Sequence, residues 1–338
     1  MEYICLDYLY KLIEGSVKIM KEPIFLNPIF KDYIWGGKRL KEKFNKNTPY
    51  DITAESWEVS ANGNGESIIK NGEFEGMKLS ELFGKDEIKA QIFGTKSIDM
   101  EKFPLLIKFI DAESNLSVQV HPDNKYAFEK ENGSQGKDEM WYIMDCKEGA
   151  QIIYGMKENV EPKDLSAILQ SENISEYLNF VDVNKGDCIY IPSGTIHAIL
   201  GDTLICEVQQ NSDLTYRVYD WGRVGKDGKP RELHVQKAID VVKLDNENSI
   251  NNTNNIQEGN ENIISSNFFK TDKVVVKSGF IDTSNQETFY AYNVVDGNGK
   301  IIVNDKEYEL SLGDSFIIPA NLGEYKISGQ IELLKSYI

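Results

Sequence analysis

The chain is divided into many short apolar runs, each separated from the next by glycine, proline, asparagine or aspartate. Examples of these runs are 105–109, 116–120, 141–144, 151–154, 188–191 and 204–208. Short strands at such spacing are typical of a β-sandwich or β-barrel. The composition agrees, because 17 tyrosines and 15 phenylalanines accompany many valines and isoleucines, which all favour strands. We therefore predict a mainly β fold.

Helical patterns are few. The segments 79–90 and 163–180 carry apolar residues at helical spacing, without a long β-branched run. These two segments predict a few short helices beside the sheets.

Composition divides the chain into segments, and its 338 residues suggest about two compact units. Residues 1–20 are expected to form an N-terminal extension, or else a short amphipathic helix, ahead of a strand that starts near Pro23. Residues 245–262 hold almost no apolar side chains, so we expect an Asn-rich flexible linker or long surface loop there. Residues 21–244 and 263–338 would then be the two domains.

The net charge of −17 argues against a nucleic-acid partner and against binding to an anionic membrane surface, because both need a basic face. An anionic substrate would need a locally cationic pocket. The segment 1–17 carries acidic residues and lacks a long apolar core, so we expect no signal peptide and a cytoplasmic location. The four cysteines include no CxxC pair, which argues against a thiolate zinc knuckle or a redox motif.

A seven-residue pattern occurs twice. Gly186-Asp-Cys-Ile-Tyr-Ile-Pro192 reappears as Gly313-Asp-Ser-Phe-Ile-Ile-Pro319, each a tight turn followed by a short strand and a proline. His197 follows the first proline by five residues, whereas Glu324 holds that place after the second. Two related β-barrels, of which only the first keeps the histidine, would explain the pattern. A chance similarity of two strands is the alternative.

Two segments alternate polar and apolar side chains. In a strand, Ser117, Gln119 and His121 would share one face, a pattern that fits a barrel interior and a solvated surface equally well. Lys137 and Glu139 would also share a face. Taken alone they suggest a surface ion pair, but the apolar residues that follow favour a central strand.

The segment from Gly186 to His197 matches the second motif of the cupin superfamily at every spaced position up to the histidine, although Gly201 replaces the usual asparagine. The first cupin motif has His-x-His followed closely by glutamate. Here Gln119 takes the place of the first histidine, and Glu139 lies eighteen residues beyond His121. These departures argue against the common dioxygenase and decarboxylase cupins.

Six segments resemble type I mannose-6-phosphate isomerases, in the short bacterial form. They are 28–37, 55–60, 104–123, 136–142, 192–198 and 207–221. The resemblance extends over residues 22–338. It implies two cupin-like jelly-roll β-barrels and an aldose–ketose isomerase that interconverts mannose 6-phosphate and fructose 6-phosphate through a cis-enediol.

The resemblance further implies one zinc ion per chain, bound by Gln119, His121, Glu139 and His197. Two imidazoles, a carboxylate and an amide oxygen suit a borderline-soft divalent ion, and manganese or cobalt would fit the same ligands. The third histidine, His234, matches no ligand position and is expected to be structural or exposed.

Substrate contacts are implied in the same way. Lys137 is carried over as an acid–base candidate, and Arg217 as an active-site arginine that can hold a phosphate or an enediolate with two parallel hydrogen bonds. Asp213 would relay protons or orient Arg217. Lys108 and Ser117 would help to bind the phosphosugar.

Two other functions stay open from the sequence alone. A metal-dependent cupin oxygenase would need iron and oxygen, and usually a His-x-His pair. A non-enzymatic sugar-binding or regulatory cupin would not need metal ligands together with an acid–base set. The sequence does not fix the oligomeric state.

Overall fold

The computed structural model describes residues 21–171, 173–225, 228–244 and 250–338. The predicted N-terminal extension, residues 1–20, lies outside the described residues. The strands before residue 245 are β1 (Ile24–Asn27), β2 (Ile29–Lys31), β3 (Glu55–Val59), β4 (Ala61–Asn62), β5 (Gly65–Glu66), β6 (Ile68–Ile69), β7 (Leu105–Ala112), β8 (Val118–Val120), β9 (Glu139–Cys146), β10 (Gln151–Met156), β11 (Leu178–Asp182), β12 (Asp187–Ile191), β13 (His197–Ile199), β14 (Thr203–Gln210) and β15 (Tyr216–Tyr219).

The later strands are β16 (Ile250–Asn252), β17 (Gly259–Ser265), β18 (Lys270–Val276), β19 (Phe280–Thr283), β20 (Tyr290–Val303), β21 (Lys306–Ser311), β22 (Ser315–Ile318) and β23 (Glu324–Tyr337). The α-helices of the described residues are α1 (Arg39–Glu42), α2 (Leu79–Phe83), α3 (Asp86–Phe93), α4 (Asn124–Lys130), α5 (Leu165–Leu169) and α6 (Val235–Val241). In the part of the chain that the structure describes, no helix has the length and apolarity needed to cross a membrane.

Two antiparallel sheets face each other in the first part of the chain. One has seven strands in the order β16-β12-β9-β14-β7-β3-β2, and the other has five in the order β11-β10-β13-β8-β15. Alternate side chains of the two inner faces form a shared apolar core, because successive residues of a strand point to opposite faces. Members of this core are Ile110, Trp141, Ile189 and Ile205 from the first sheet, and Ile152 and Ile199 from the second.

The outer faces of both sheets are covered as well. Helices α5 and α6 pack on the five-stranded sheet, where Val118 and Val120 belong to the same apolar cluster as Leu165 and Ala238. Helices α2 and α3, together with the C-terminal sheet, cover the seven-stranded sheet. The seven-stranded sheet is therefore buried on both faces and forms a rigid support for the residues on its inner face.

The C-terminal sheet has nine strands, and its path runs β17-β18-β23-β20-β22-β1-β6, with β19 on β23 and β21 on β20. Two of these strands, β1 and β6, come from the N-terminal part of the chain. This strand pattern confirms the predicted mainly β fold class. The exact division of the chain into domains stays a prediction.

The seven-residue pattern that occurs at 186–192 and at 313–319 adopts the same local structure in both copies. Gly186 and Gly313 have φ angles of 89° and 92°, which favour glycine because side chains clash there. Asp187 and Asp314 each accept a hydrogen bond from the backbone N–H three residues earlier, at 2.7 and 2.8 Å. A strand follows in each copy.

Three segments differ from the sequence-based expectation. The helical segment 79–90 divides into α2 and α3 because Lys85, with a ψ angle of 89°, interrupts the helical backbone after Gly84. The segment 163–180 is helical only in part, since the Ser171 hydroxyl accepts the N–H of Asn173 and competes with the helical hydrogen bonds. The tract 245–262 is not a continuous loop: β16 pairs with β12, and β17 begins at residue 259.

Candidate metal centre and active site

Four predicted ligands converge between the two facing sheets. Glu139 begins β9 of the seven-stranded sheet, while Gln119 on β8 and His197 on β13 are direct neighbours in the five-stranded sheet. His121 follows β8. Its Nε2 lies 3.5 Å from a Glu139 carboxylate oxygen, and Nε2 of His197 lies 3.3 Å from the other. The side-chain amide nitrogen of Gln119 lies 3.3 Å from Nε2 of His197.

Backbone carbonyl groups fix the tautomers of the two imidazoles. Nδ1 of His121 contacts the carbonyl oxygen of Leu214 at 2.7 Å, and Nδ1 of His197 contacts that of Thr195 at 2.9 Å. A carbonyl oxygen only accepts, so each Nδ1 must carry the proton and donate it. Each Nε2 therefore keeps a lone pair directed at Glu139, which is the arrangement that metal-binding histidines use.

A cavity of about 630 Å³ opens beside this cluster. Its lining is mostly polar and includes several cations. The lining residues that carry charge or belong to the predicted site are Lys31, Glu55, Lys108, Ser117, Gln119, Lys137, Glu207, Asp213, Arg217 and Arg231. The predicted substrate-binding residues and the ligand Gln119 thus line the same cavity.

Buried charges connect the cavity floor to the metal ligands. Nζ of Lys137 lies 2.8 Å from Glu139 and 3.9 Å from Glu207. Nζ of Lys108 lies 2.8 Å from the same Glu207 oxygen. Burial alone would raise the pKa of Glu207, but the two lysine charges outweigh it and lower that pKa to about 2.

Arg217 lies on β15, next to Gln119 on β8. Its Nε donates to Ser117 Oγ at 3.3 Å and its Nη1 donates to the carbonyl oxygen of Glu232 at 2.8 Å. Asp213 lies at the rim of the same cavity, where its carboxylate accepts a hydrogen bond from the Asn64 amide. The structure therefore brings Arg217 to Ser117, while the hydrogen-bond partner that it shows for Asp213 is Asn64.

Comparison with known proteins gives a consistent result. Residues 24–149 match the family described as phosphomannose isomerase type I, catalytic domain, and residues 260–338 match the mannose-6-phosphate isomerase cupin domain. The mannose-6-phosphate isomerase ManA of Bacillus subtilis is 38% identical over 94% of this chain and 99% of its own length. The chain belongs to the type I phosphomannose isomerase family.

Solved structures agree with this assignment. The mannose 6-phosphate isomerase of Bacillus subtilis is 36% identical and superposes with a TM-score of 0.85, over 94% of this chain and 99% of that one. A putative mannosephosphate isomerase from Archaeoglobus fulgidus shares the fold, with 21% identity and a TM-score of 0.73 over 95% of this chain and 99% of its own. The family predicted from sequence motifs is confirmed.

The residues of this site fit a divalent metal ion. Burial lowers the pKa of His197 to about 4 and that of His121 well below its usual value, so both rings are neutral near pH 7. Burial, followed by the charge of Glu207, raises the pKa of Glu139 to about 7 despite the opposing charge of Lys137.

Buried polar atoms without a hydrogen-bond partner also support metal binding at this site. Within the described ranges, Nε2 of His121 and Oε1 of Glu139 are buried without a hydrogen-bond partner. The candidate ligand atoms of His121, Glu139 and His197 all lie within 4.8 Å of one another. A bound cation would satisfy these atoms and stabilise the buried carboxylate.

Sequence reasoning missed several residues that line this cavity. One of them is Glu207, and the signal that could have identified it is its place as the single charged residue within the apolar run 204–208. Trp57 forms a wall of the cavity, and its Nε1 donates to Glu55 at 2.6 Å. Lys31 lies over the Trp57 ring, with Nζ 4.5 Å from the ring centroid. These residues belong to the motifs on which the family resemblance is based, but the sequence did not assign any of them an individual role.

His234 is separate from the metal cluster. It is partly exposed, its ring lies beside Tyr216 with the centroids 6.3 Å apart, and its Nδ1 accepts the backbone N–H of Arg217 at 3.4 Å. This position fits the expectation that His234 is structural or exposed.

Proposed function

We propose that this chain interconverts mannose 6-phosphate and fructose 6-phosphate in the cytoplasm, with zinc as its metal. The observation that carries the proposal is the convergence of two imidazole Nε2 atoms and the Glu139 carboxylate beside a cavity that is lined by cations. Family membership supports the choice of substrate. The protein would then be an aldose–ketose isomerase.

Gln119, His121, Glu139 and His197 would hold the zinc ion. Nitrogen and oxygen ligands of this kind, with positions left open, are typical of catalytic rather than structural zinc. A bound zinc ion would supply Lewis-acid polarisation of the substrate oxygens.

Isomerisation requires that a proton leave C2 of the open-chain aldose and return at C1. We assign this transfer to Lys137, whose Nζ lines the cavity beside Glu139 and Glu207. The two carboxylates fix the position of Nζ, so that the proton is exchanged at a defined atom. Fixed positioning of this kind is what general acid–base catalysis needs. Lys137 would have to be a neutral amine when it takes the proton from C2, and it would become the ammonium group that returns this proton at C1.

Arg217, Ser117 and Lys108 would bind the substrate. The Arg217 guanidinium can form two parallel hydrogen bonds with a phosphate, and Ser117 Oγ lies next to it. These side chains give the cavity a local positive charge, which offsets the repulsion between a phosphosugar dianion and a protein of net charge −17.

Metal removal tests the proposal directly. In an assay that couples fructose 6-phosphate formation to a dehydrogenase, the protein is expected to turn over mannose 6-phosphate and to lose nearly all activity after treatment with a chelator. Stoichiometric zinc should restore the activity. Full turnover by metal-free protein would contradict the proposal, as would oxygen consumption without isomerisation.

A further inference from the structure

The strand β3 connects the active-site cavity to the C-terminal sheet. Glu55 and Trp57 point into the cavity, while Ser56 and Glu58 occupy the opposite face. All four side chains are buried. A displacement of β3 would therefore move a wall of the cavity.

Glu58 is a fully buried carboxylate with three partners, and its nearest oxygens lie 2.7 Å from Lys46 Nζ, 2.5 Å from Ser56 Oγ and 2.8 Å from Ser315 Oγ. Lys46 also donates to the carbonyl oxygen of Gly313 at 2.6 Å. The contacts with Ser315 and Gly313 link this network to the C-terminal domain. Burying a carboxylate is costly unless it is paired and hydrogen-bonded, so Glu58 and its partners fix one another in place.

Ser315, which donates to Glu58, and Gly313, which accepts from Lys46, both belong to the second copy of the repeated pattern. A Cβ on Gly313 would lie 2.9 Å from the Phe44 ring, so only glycine lets this turn approach the first domain so closely. Ser315 takes the place that Cys188 holds in the first copy. The second copy carries Glu324 where the first has the ligand His197, yet it packs directly behind the active-site wall.

We propose that Glu58 is a positioning residue, through which the C-terminal domain holds β3 and Trp57 against the active-site cavity. The effect on binding follows from the cations over the indole, because Nζ of Lys31 and Nζ of Lys108 lie 4.5 and 5.4 Å from Trp57 ring centroids. A shift of Trp57 disturbs two cations that line the substrate cavity. The inference concerns the reaction proposed above and rests on that proposal.

The variant Ser315→Ala removes one hydrogen bond to Glu58 without touching the cavity. We expect the KM for mannose 6-phosphate to rise roughly fivefold while kcat stays within about twofold, the pattern of weakened binding. Hydrogen–deuterium exchange of the β3 peptide should become faster. Glu58→Gln, which removes the charge that Lys46 pairs with, should change both readouts in the same direction.

Ser336→Ala is the matched control. Ser336 is equally buried in the C-terminal sheet, but its hydroxyl pairs with Thr271 at 3.1 Å, on strands that do not adjoin β3. This control is expected to lower thermal stability, but KM and β3 exchange should match the wild type.

Each outcome decides the proposal. If Ser315→Ala and Glu58→Gln leave KM unchanged, the positioning role is overturned, whether or not β3 exchange becomes faster. An equal KM increase in Ser336→Ala would also overturn it, since the effect would then be general destabilisation. If the wild-type protein shows no isomerase activity, the proposed function fails instead, and β3 exchange alone still reports whether the C-terminal domain holds the strand.

Discussion

Replacing His197 by alanine is expected to abolish stoichiometric metal binding and to lower kcat/KM for mannose 6-phosphate by at least about a thousandfold, because a catalytic metal supplies several kcal/mol of transition-state stabilisation. The side chain is fully buried, with its Nδ1 proton held by the Thr195 carbonyl and its Nε2 directed at Glu139. Alanine offers no ligand atom at that point, and the Trp141 ring, 5.5 Å away, cannot replace it.

His234→Ala is the control for this experiment, because it removes a histidine that does not belong to the cluster. It should keep one metal ion per chain, measured by elemental analysis after dialysis. Stoichiometric zinc and unaltered activity in His197→Ala would show that the ligand set is wrong. Loss of metal from both variants would indicate that folding, rather than ligation, is affected.

The second large effect is expected from Arg217→Ala. Removing the guanidinium should lower kcat/KM for mannose 6-phosphate by about a hundredfold, because a charge-assisted, bidentate contact with the substrate is lost. Metal content should not change, since the Arg217 guanidinium contacts Ser117 and the Glu232 carbonyl rather than His121 or His197. Arg217→Lys should recover only part of the activity, because an ammonium group cannot form two parallel hydrogen bonds.

Arg223→Ala provides the matched control for Arg217. Arg223 donates to Asp220 and the Asn115 carbonyl, and it does not line the active-site cavity. Steady-state kinetics of this variant should resemble those of the wild type, because Asp220 keeps its contact with Arg231. Unchanged kcat/KM in Arg217→Ala would refute the substrate-binding role.

Alternation along single strands made part of the site predictable. Ser117 and Gln119 line the cavity while Val118 and Val120 pack under the helices, as the pattern of that segment requires. The pattern alone did not distinguish an interior strand from a surface strand. Burial of β8 beneath α6 decides that question, and it depends on residues more than one hundred positions away.

Long-range pairing explains what the sequence did not reveal. Glu207 meets Lys108 because β14 and β7 pair in a register that joins residues 99 positions apart. Similarly, β16 forms in an Asn-rich tract because main-chain hydrogen bonds to β12 hold it, and because the Asn252 amide donates to Asp187 at 2.6 Å while Ile250 packs against the core. Local composition carries no information on such contacts, and it therefore predicted a loop.

Anomalous diffraction at the zinc absorption edge, from crystals of protein purified with zinc, tests the metal site most directly. We expect one strong anomalous peak per chain, within bonding distance of Nε2 of His121, Nε2 of His197 and the Glu139 carboxylate. A peak elsewhere, or fully loaded and active protein with no peak between these three side chains, would contradict it.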